Sequence, residues 1–376
     1  MEPREIDPLV LRFLKNPERE IEESYAQSED FLLSFLEFCT IRVSTAPKDG
    51  RRLVLLAQRV IIPRIQHHPC ITVQVWALLA AAARYLGRLD EADTLFQLAL
   101  DLADDCAKCQ AHLLRKRSLV RADQRRFEDG IGDASSSIEI YRSVEYDRIH
   151  DTFGSGLARA HLWRGHVYFN ASAYNIDNKS TLLSSAIDDV GQALALLAPL
   201  EDPALYGLAI FNLGSYLSAT GKLENLLLAD RHIRTARGRF KGIERISQQR
   251  ASLDWLTPMV RYKLRKMRRA RVKYYLRRSL DAFVVLGMPK ETVAVAADLA
   301  RITFPDQNRI RTILEGLEGR LCRLSDDLRQ RIQDVQAATT LKGWDAAETV
   351  KAAIEALREA CGPKTLPCLI AWPSNS

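Results

Sequence analysis

The residues with the greatest capacity for chemistry form one run, VRYKLRKMRRARVKYYLRRSL, beginning at Val260. Between Arg261 and Arg278 it carries ten Lys or Arg and no Asp or Glu. Read as a helix, Val260, Leu264, Met267 and Tyr274 fall on one side. Arg261, Lys263, Arg265, Lys266, Arg268, Arg269, Arg271 and Lys273 fall elsewhere. Like charges one helical turn apart repel by a few tenths of a kcal/mol per pair, so something must offset them. Three sources qualify: acids on neighbouring helices, an acidic protein partner, or nucleic-acid phosphates. Tyr262, Tyr274 and Tyr275 could stack on bases, but no helix-turn-helix or RNA-binding signature accompanies them. Two local structures fit the run. Thr257-Pro258 could open one long helix ending near Leu286, or the chain could turn between Lys263 and Arg268.

A second group, Cys106-x-x-Cys109-x-x-His112, has the spacing of half a zinc site. A closed tetrahedral site needs four ligands, and the other donors at hand are His67, His68 and Cys70. No βαβ pattern surrounds the cysteine pair to suggest redox chemistry. His150, His161, His166 and His232 are scattered over helical segments, and no nucleophile-elbow motif supplies a partner for them. Gly154-Ser155-Gly156 lacks the lysine and preceding strand of a phosphate loop. The expectation is a chain without catalysis and without a cofactor or metal.

The elements that must carry these groups are helical. The chain has 376 residues, is 47% hydrophobic and 27% charged, and has a net charge of +7. Setting aside the ten cations of the basic run leaves 44 basic against 47 acidic residues, so the positive charge is concentrated in one place. No apolar run is long enough to span a bilayer. The N-terminus has no signal-peptide pattern, and seven cysteines without framework spacing point to reduced thiols. A cytoplasmic location is expected.

Between Trp76 and Ala99 the chain reads WALLAAAARYLGRLDEADTLFQLA. Trp76, Leu79, Ala80 and Ala83 share one face of a first helix. Gly87 can take a left-handed C-cap, and Asp90 can cap a second helix carrying Ala92, Phe96 and Ala99. Small residues at the close approach and large ones beside them let the two helices nest. Weaker units follow at intervals of about 35 to 45 residues: His112–Tyr141 turning at Gln124-Arg125-Arg126, Leu157–Ala198 with a long linker from Asn170 to Ser180, Leu205–Phe240 turning near Gly221 with about three residues too many, and Gln249–Leu286, where Arg265 replaces the turn glycine. A further helix starts at Met288.

The order Trp, Leu, small, small, Gly, Ala, Phe, Ala resembles the tetratricopeptide repeat (TPR). The degenerate later units, with SLDAF and AFVVLGMP at a junction, resemble the bacterial regulatory or adaptor members. That resemblance implies an all-α, right-handed helical-hairpin solenoid. Its expected parts are an N-terminal helical cap over 1–70, a TPR-like array over 71–305, a C-terminal helical extension over 306–361 and an apolar tail over 362–376. It also implies that first-helix residues on the concave side contact ligand, which by offset are Arg84, Arg117, Arg121, Arg164, Asn212 and Tyr216. A groove lined by Arg and Asn suits an acidic or extended peptide. The expected function is a protein-binding adaptor or regulatory subunit, with an effector enzyme among the candidate partners. Two alternatives stay open: a peptide-sensing TPR regulator, and a nucleic-acid-contacting subunit acting through 261–278. No membrane partner is expected.

Overall fold

In a computed structural model of the chain, the described residues are Cys39, 50–55 and most of 69–361. The stretches 104–105, 144–154, 198–202, 241–246, 319–325 and 342–345, with positions 176 and 287, lie outside them. So do nearly all of the expected cap and the whole expected tail. Among the described residues every regular element is an α-helix, and no helix there is long and apolar enough to cross a membrane. The chain divides into two compact units, one ending at Val167 and the other beginning at Tyr168.

The first unit holds α1 (Pro69–Tyr85), α2 (Leu89–Asp101), α3 (Ala107–Asp123), α4 (Phe127–Ser143) and the start of α5 (Gly156–Tyr174). Helix α1 packs on α2, α2 on α3, and α3 on α4. Val73, Ala77, Ala80 and Ala83 of α1 meet Ala92, Phe96 and Ala99 of α2, with Leu113 and Val120 of α3 closing the cluster. Fully burying a side chain such as Phe96 contributes about 1.5–3 kcal/mol. Helices α3 and α4 approach closely at Gly130, where an added Cβ would lie 2.9 Å from the Ser118 carbonyl oxygen.

The second unit continues with α6 (Lys179–Leu197), α7 (Pro203–Ala219), α8 (Leu223–Arg239), α9 (Ser247–Lys263), α10 (Arg269–Val285), α11 (Pro289–Thr303), α12 (Gln307–Glu318), α13 (Asp326–Ala338) and α14 (Ala346–Ala360). Each packs on the next, and α7 also touches α9. One core runs from Ile210 to Cys361. Helix α14 returns onto α11, and a buried polar contact fixes it there. Trp255 Nε1–H donates to Asp298 at 2.8 Å. Arg358 donates to the other oxygen of Asp298 at 3.4 Å and lies over the Trp255 ring.

The reversals follow one rule. In four hairpins the second residue after the first helix has a left-handed backbone: Gly87 (φ 78°), Arg125 (65°), Gly221 (73°) and Arg265 (55°). Glycine is unstrained there, whereas arginine carries a Cβ penalty. The basic run therefore turns between Lys263 and Arg269 and is not one helix, and Pro258 lies inside α9. Two expectations shift in detail. Helix α5 runs to Tyr174 and α6 starts at Lys179, so the linker is shorter than Asn170–Ser180. The Gly221 turn has the same length as the Gly87 turn; the position matching Ala92 is Leu226, three residues before Ala229.

Each unit also carries the same internal clip. The buried Ser137 hydroxyl donates to the Ala111 carbonyl at 2.7 Å, and buried Ser279 donates to the Ala251 carbonyl at 2.8 Å. Each serine joins the second helix of its hairpin to the fifth residue of the first.

Candidate functional site

The groove arginines of the first unit are drawn into a lattice of carboxylates. Buried Asp133 of α4 accepts two hydrogen bonds from Arg117, at 2.7 and 2.8 Å, and pairs with Arg121 at 3.0 Å. Arg117 also donates to Gln97 on α2. Arg121 reaches Asp93 at 3.7 Å, and exposed Arg126 bridges Asp93 and Asp129 at 2.8 Å each. Arg84 of α1 donates to Asp123 of α3 at 2.9 Å. Arg164 donates to Ser135 at 3.1 Å. Fork-shaped guanidiniums on carboxylates are the strong, geometrically defined form of this bond. They join α1, α2, α3 and α4 through their polar edges.

A different cluster occupies another part of the same unit. Cys106 caps α3, its sulfur accepting from the Cys109 N–H at 3.3 Å. Among the described residues no three metal-ligating side chains come together. His112 instead faces cations. Its Nδ1 lies 3.0 Å from Arg115 Nη2. Arginine can only donate, so Nδ1 accepts and the ring proton sits on Nε2. Burial, then Lys116, Arg115 and Arg159, hold the imidazole well below its ordinary range. Burial, helped by Arg159, brings Arg115 down to about 10, with the Tyr141 hydroxyl opposing. Burial and the two guanidiniums bring Lys116 to about 8. Arg115 lies over the Trp163 ring at 5.8 Å, and its Nε is buried with no hydrogen-bond partner.

In the second unit, Tyr216 of α7 stacks on Phe169 of α5, centroids 4.5 Å apart. Its hydroxyl is buried without a partner, and burial, with the charge of Asp189, raises its pKa. Next to Phe169 stands Asn170, 1% exposed, whose amide oxygen and nitrogen both lack a partner. Half-buried Asn212 shares a face of α7 with Tyr216. Asn170 was not singled out in the sequence. The available signal was a lone amide in the apolar stretch VYFNASAY.

The basic run divides between paired and open cations. Buried Asp230 of α8 takes Arg261 at 2.9 Å, Arg234 at 3.6 Å and Lys266 at 4.0 Å. Asp254 takes Arg278 and Arg237 at 3.0 and 3.1 Å. Arg269 donates to the Ile302 and Phe304 carbonyls, closing the end of α11. Lys273 is lowered, by burial first and then by Arg269, Arg309 and Arg277. Lys263, Arg265, Arg268 and Arg271 are exposed and have no ion pair among the described residues. Lys263 Nζ lies 3.9 Å from where a Gly221 Cβ would stand, so the two turns are neighbours.

No protein-family model matches the chain, and no curated protein matches it in sequence. Solved structures do match in fold. One is a Rap protein complexed with Competence and Sporulation Factor, with TM-score 0.57 and 13% identity, over 93% of this chain and 90% of that one. A second is the Rap conjugation gene regulator of plasmid pLS20 in complex with the Phr* peptide, with TM-score 0.54 and 12% identity, over 96% and 97%. A third is aspartyl phosphate phosphatase F from Bacillus subtilis, with TM-score 0.53 and 16% identity, over 93% and 91%. The chain shares their TPR-like helical-repeat fold.

Proposed function

We propose that this chain is a non-catalytic regulatory scaffold that binds an extended peptide or protein segment through its second unit. The observation that carries the reading is Asn170. A buried amide with both oxygen and nitrogen unpaired costs the fold about 1–3 kcal/mol. Its NH2 donates and its oxygen accepts, the complement of a peptide group's C=O and N–H. Tyr216 adds a second unpaired buried polar atom, and Asn212 lies one turn away on the same helix. Two of the solved structures that share the fold are complexes, one with Competence and Sporulation Factor and one with the Phr* peptide, which supports a peptide-sensing reading over a generic adaptor.

The test exploits the sign of the stability change. Asn170→Leu should leave the melting temperature equal or higher, because it removes an unsatisfied polar group. Peptides recovered by acid elution from protein purified from its native host, and identified by mass spectrometry, should be lost. A clear drop in melting temperature would make Asn170 a structural residue and remove the basis of the reading.

A second contact is carried by the open cations around the α9–α10 turn. Lys263, Arg265, Arg268 and Arg271 suit an acidic protein surface. Binding that instead weakens steeply with salt on a duplex or single-stranded probe would identify nucleic acid as the partner.

A further inference from the structure

Two thiols stand in contact at the head of α3. Cys106 is the N-cap, and Cys109 is the third residue of the helix. The backbone holds Cys106 on both sides. Its N–H donates to the Ala103 carbonyl at 2.8 Å, and its own carbonyl accepts from Gln110 at 2.9 Å. The Cys109 N–H donates to the Cys106 sulfur at 3.3 Å. The two sulfurs lie 2.6 Å apart, against about 2.05 Å across a disulfide bond, so only a small side-chain shift separates the dithiol from the bonded form. Both cysteines are half-buried, whereas Cys39 and Cys361 are buried, which closes those two to oxidants in solution.

We propose that Cys106 and Cys109 form a reversible oxidation site, a dithiol that a small-molecule disulfide converts to an intramolecular disulfide clamping the head of α3. The two cysteines face different surroundings. Cys106 precedes the helix, and Cys109 packs against the α1–α2–α3 cluster. Cys106 therefore reacts first. Its thiol gives its proton to water, and the thiolate, still accepting from the Cys109 N–H, attacks one sulfur of the small disulfide. A mixed disulfide forms, and the first small thiolate leaves and takes up a proton. Cys109 then loses its proton and attacks the Cys106 sulfur, and the second small thiolate leaves and is protonated. Two thiols of the chain are oxidised, and one disulfide is reduced to two small thiols. The helical surroundings make the chain the substrate of this exchange and not its catalyst. In a reducing compartment such a bond is transient and reports redox state. Closing it ties the residue before α3 to the first turn of that helix, and through Cys109 to the core of the first hairpin. The site lies wholly in the first unit and does not depend on peptide binding by the second.

The experiment incubates the full chain with excess oxidised glutathione, blocks the remaining thiols with iodoacetamide and digests with trypsin, which cuts after Lys108, between the two cysteines. Mass spectrometry should find peptides 89–108 and 109–115 joined, and dithiothreitol should separate them. Cys109→Ser should instead trap glutathione on Cys106. Amide hydrogen exchange over 107–111 should slow several-fold in the oxidised chain. Cys106→Ser keeps a good helix cap, so it should fold, and oxidised glutathione should leave its exchange over 107–111 unchanged. Alkylation of both cysteines in the unsubstituted chain would overturn the inference. So would glutathione accumulating on Cys106 while Cys109 is present, an unmodified Cys106 in Cys109→Ser, or slowed exchange in Cys106→Ser.

Discussion

Two regions of this chain use the same residue to opposite ends. Around α2, α3 and α4, Arg117, Arg121 and Arg126 each meet an aspartate presented by a neighbouring helix. Around the α9–α10 turn, Asp230 and Asp254 serve five cations between them, and Lys263, Arg265, Arg268 and Arg271 remain in water. What an arginine does in a helical repeat is set by the helix stacked against it. Where that helix offers a carboxylate, the guanidinium is mortar. Where it does not, the guanidinium is surface.

Substitutions can break or sharpen this contrast. The largest effect is expected at Asp133. Asp133→Asn leaves the buried Arg117 guanidinium without its anion and Arg121 with Asp93 alone, and should cost about 3–5 kcal/mol, read by urea unfolding. A loss below about 1 kcal/mol would mean that the lattice is incidental. Gly130→Ala comes next. Its Cβ would sit 2.9 Å from a backbone oxygen that cannot swing aside, so about 1–3 kcal/mol of overpacking should appear in the same assay. The turns should respond in the other direction. Arg125→Gly and Arg265→Gly each relieve a left-handed arginine, and each should gain up to about 1 kcal/mol. Loss of stability in either would mean that the side chain contributes more than its backbone strain costs. The smallest effect on folding belongs to the open cations. Joint replacement of Arg265, Arg268 and Arg271 by Glu should leave unfolding within about 0.5 kcal/mol per site while removing partner capture at low salt. Unfolding by that variant would place these residues with the mortar.

The hairpins were legible because their signals are local. Gly87 marks a reversal, and the alternation of Trp76, Ala80, Ala92 and Phe96 marks a nested pair within one short window. At Arg265 the signals conflicted: the period of the surrounding units asked for a turn, Thr257-Pro258 allowed one long helix, and the sequence left both open. The partners of the arginines were not legible. Arg117 and Asp133 are sixteen positions apart and meet only once two helices have a definite rotation about their axes. That rotation is fixed by small residues such as Gly130, not by charge. Asn170 was hidden for a related reason: an amide in an apolar helix reads as a tolerated exception until its neighbours are seen to leave it unpaired. The His112 cluster was half visible. The spacing of Cys106, Cys109 and His112 drew attention to metal chemistry, whereas the fold surrounds that histidine with Arg115, Lys116 and Arg159.

The contact of Trp255 with Asp298 and of Asp298 with Arg358 spans sequence separations of 43 and 60. During synthesis the chain must wait for α14 to leave the ribosome before the α9 tryptophan gains its full set of partners. Helix α14 therefore seals the α9 hairpin from a distance: a chain cut before Arg358 would leave the Asp298 carboxylate and the Trp255 ring without that guanidinium.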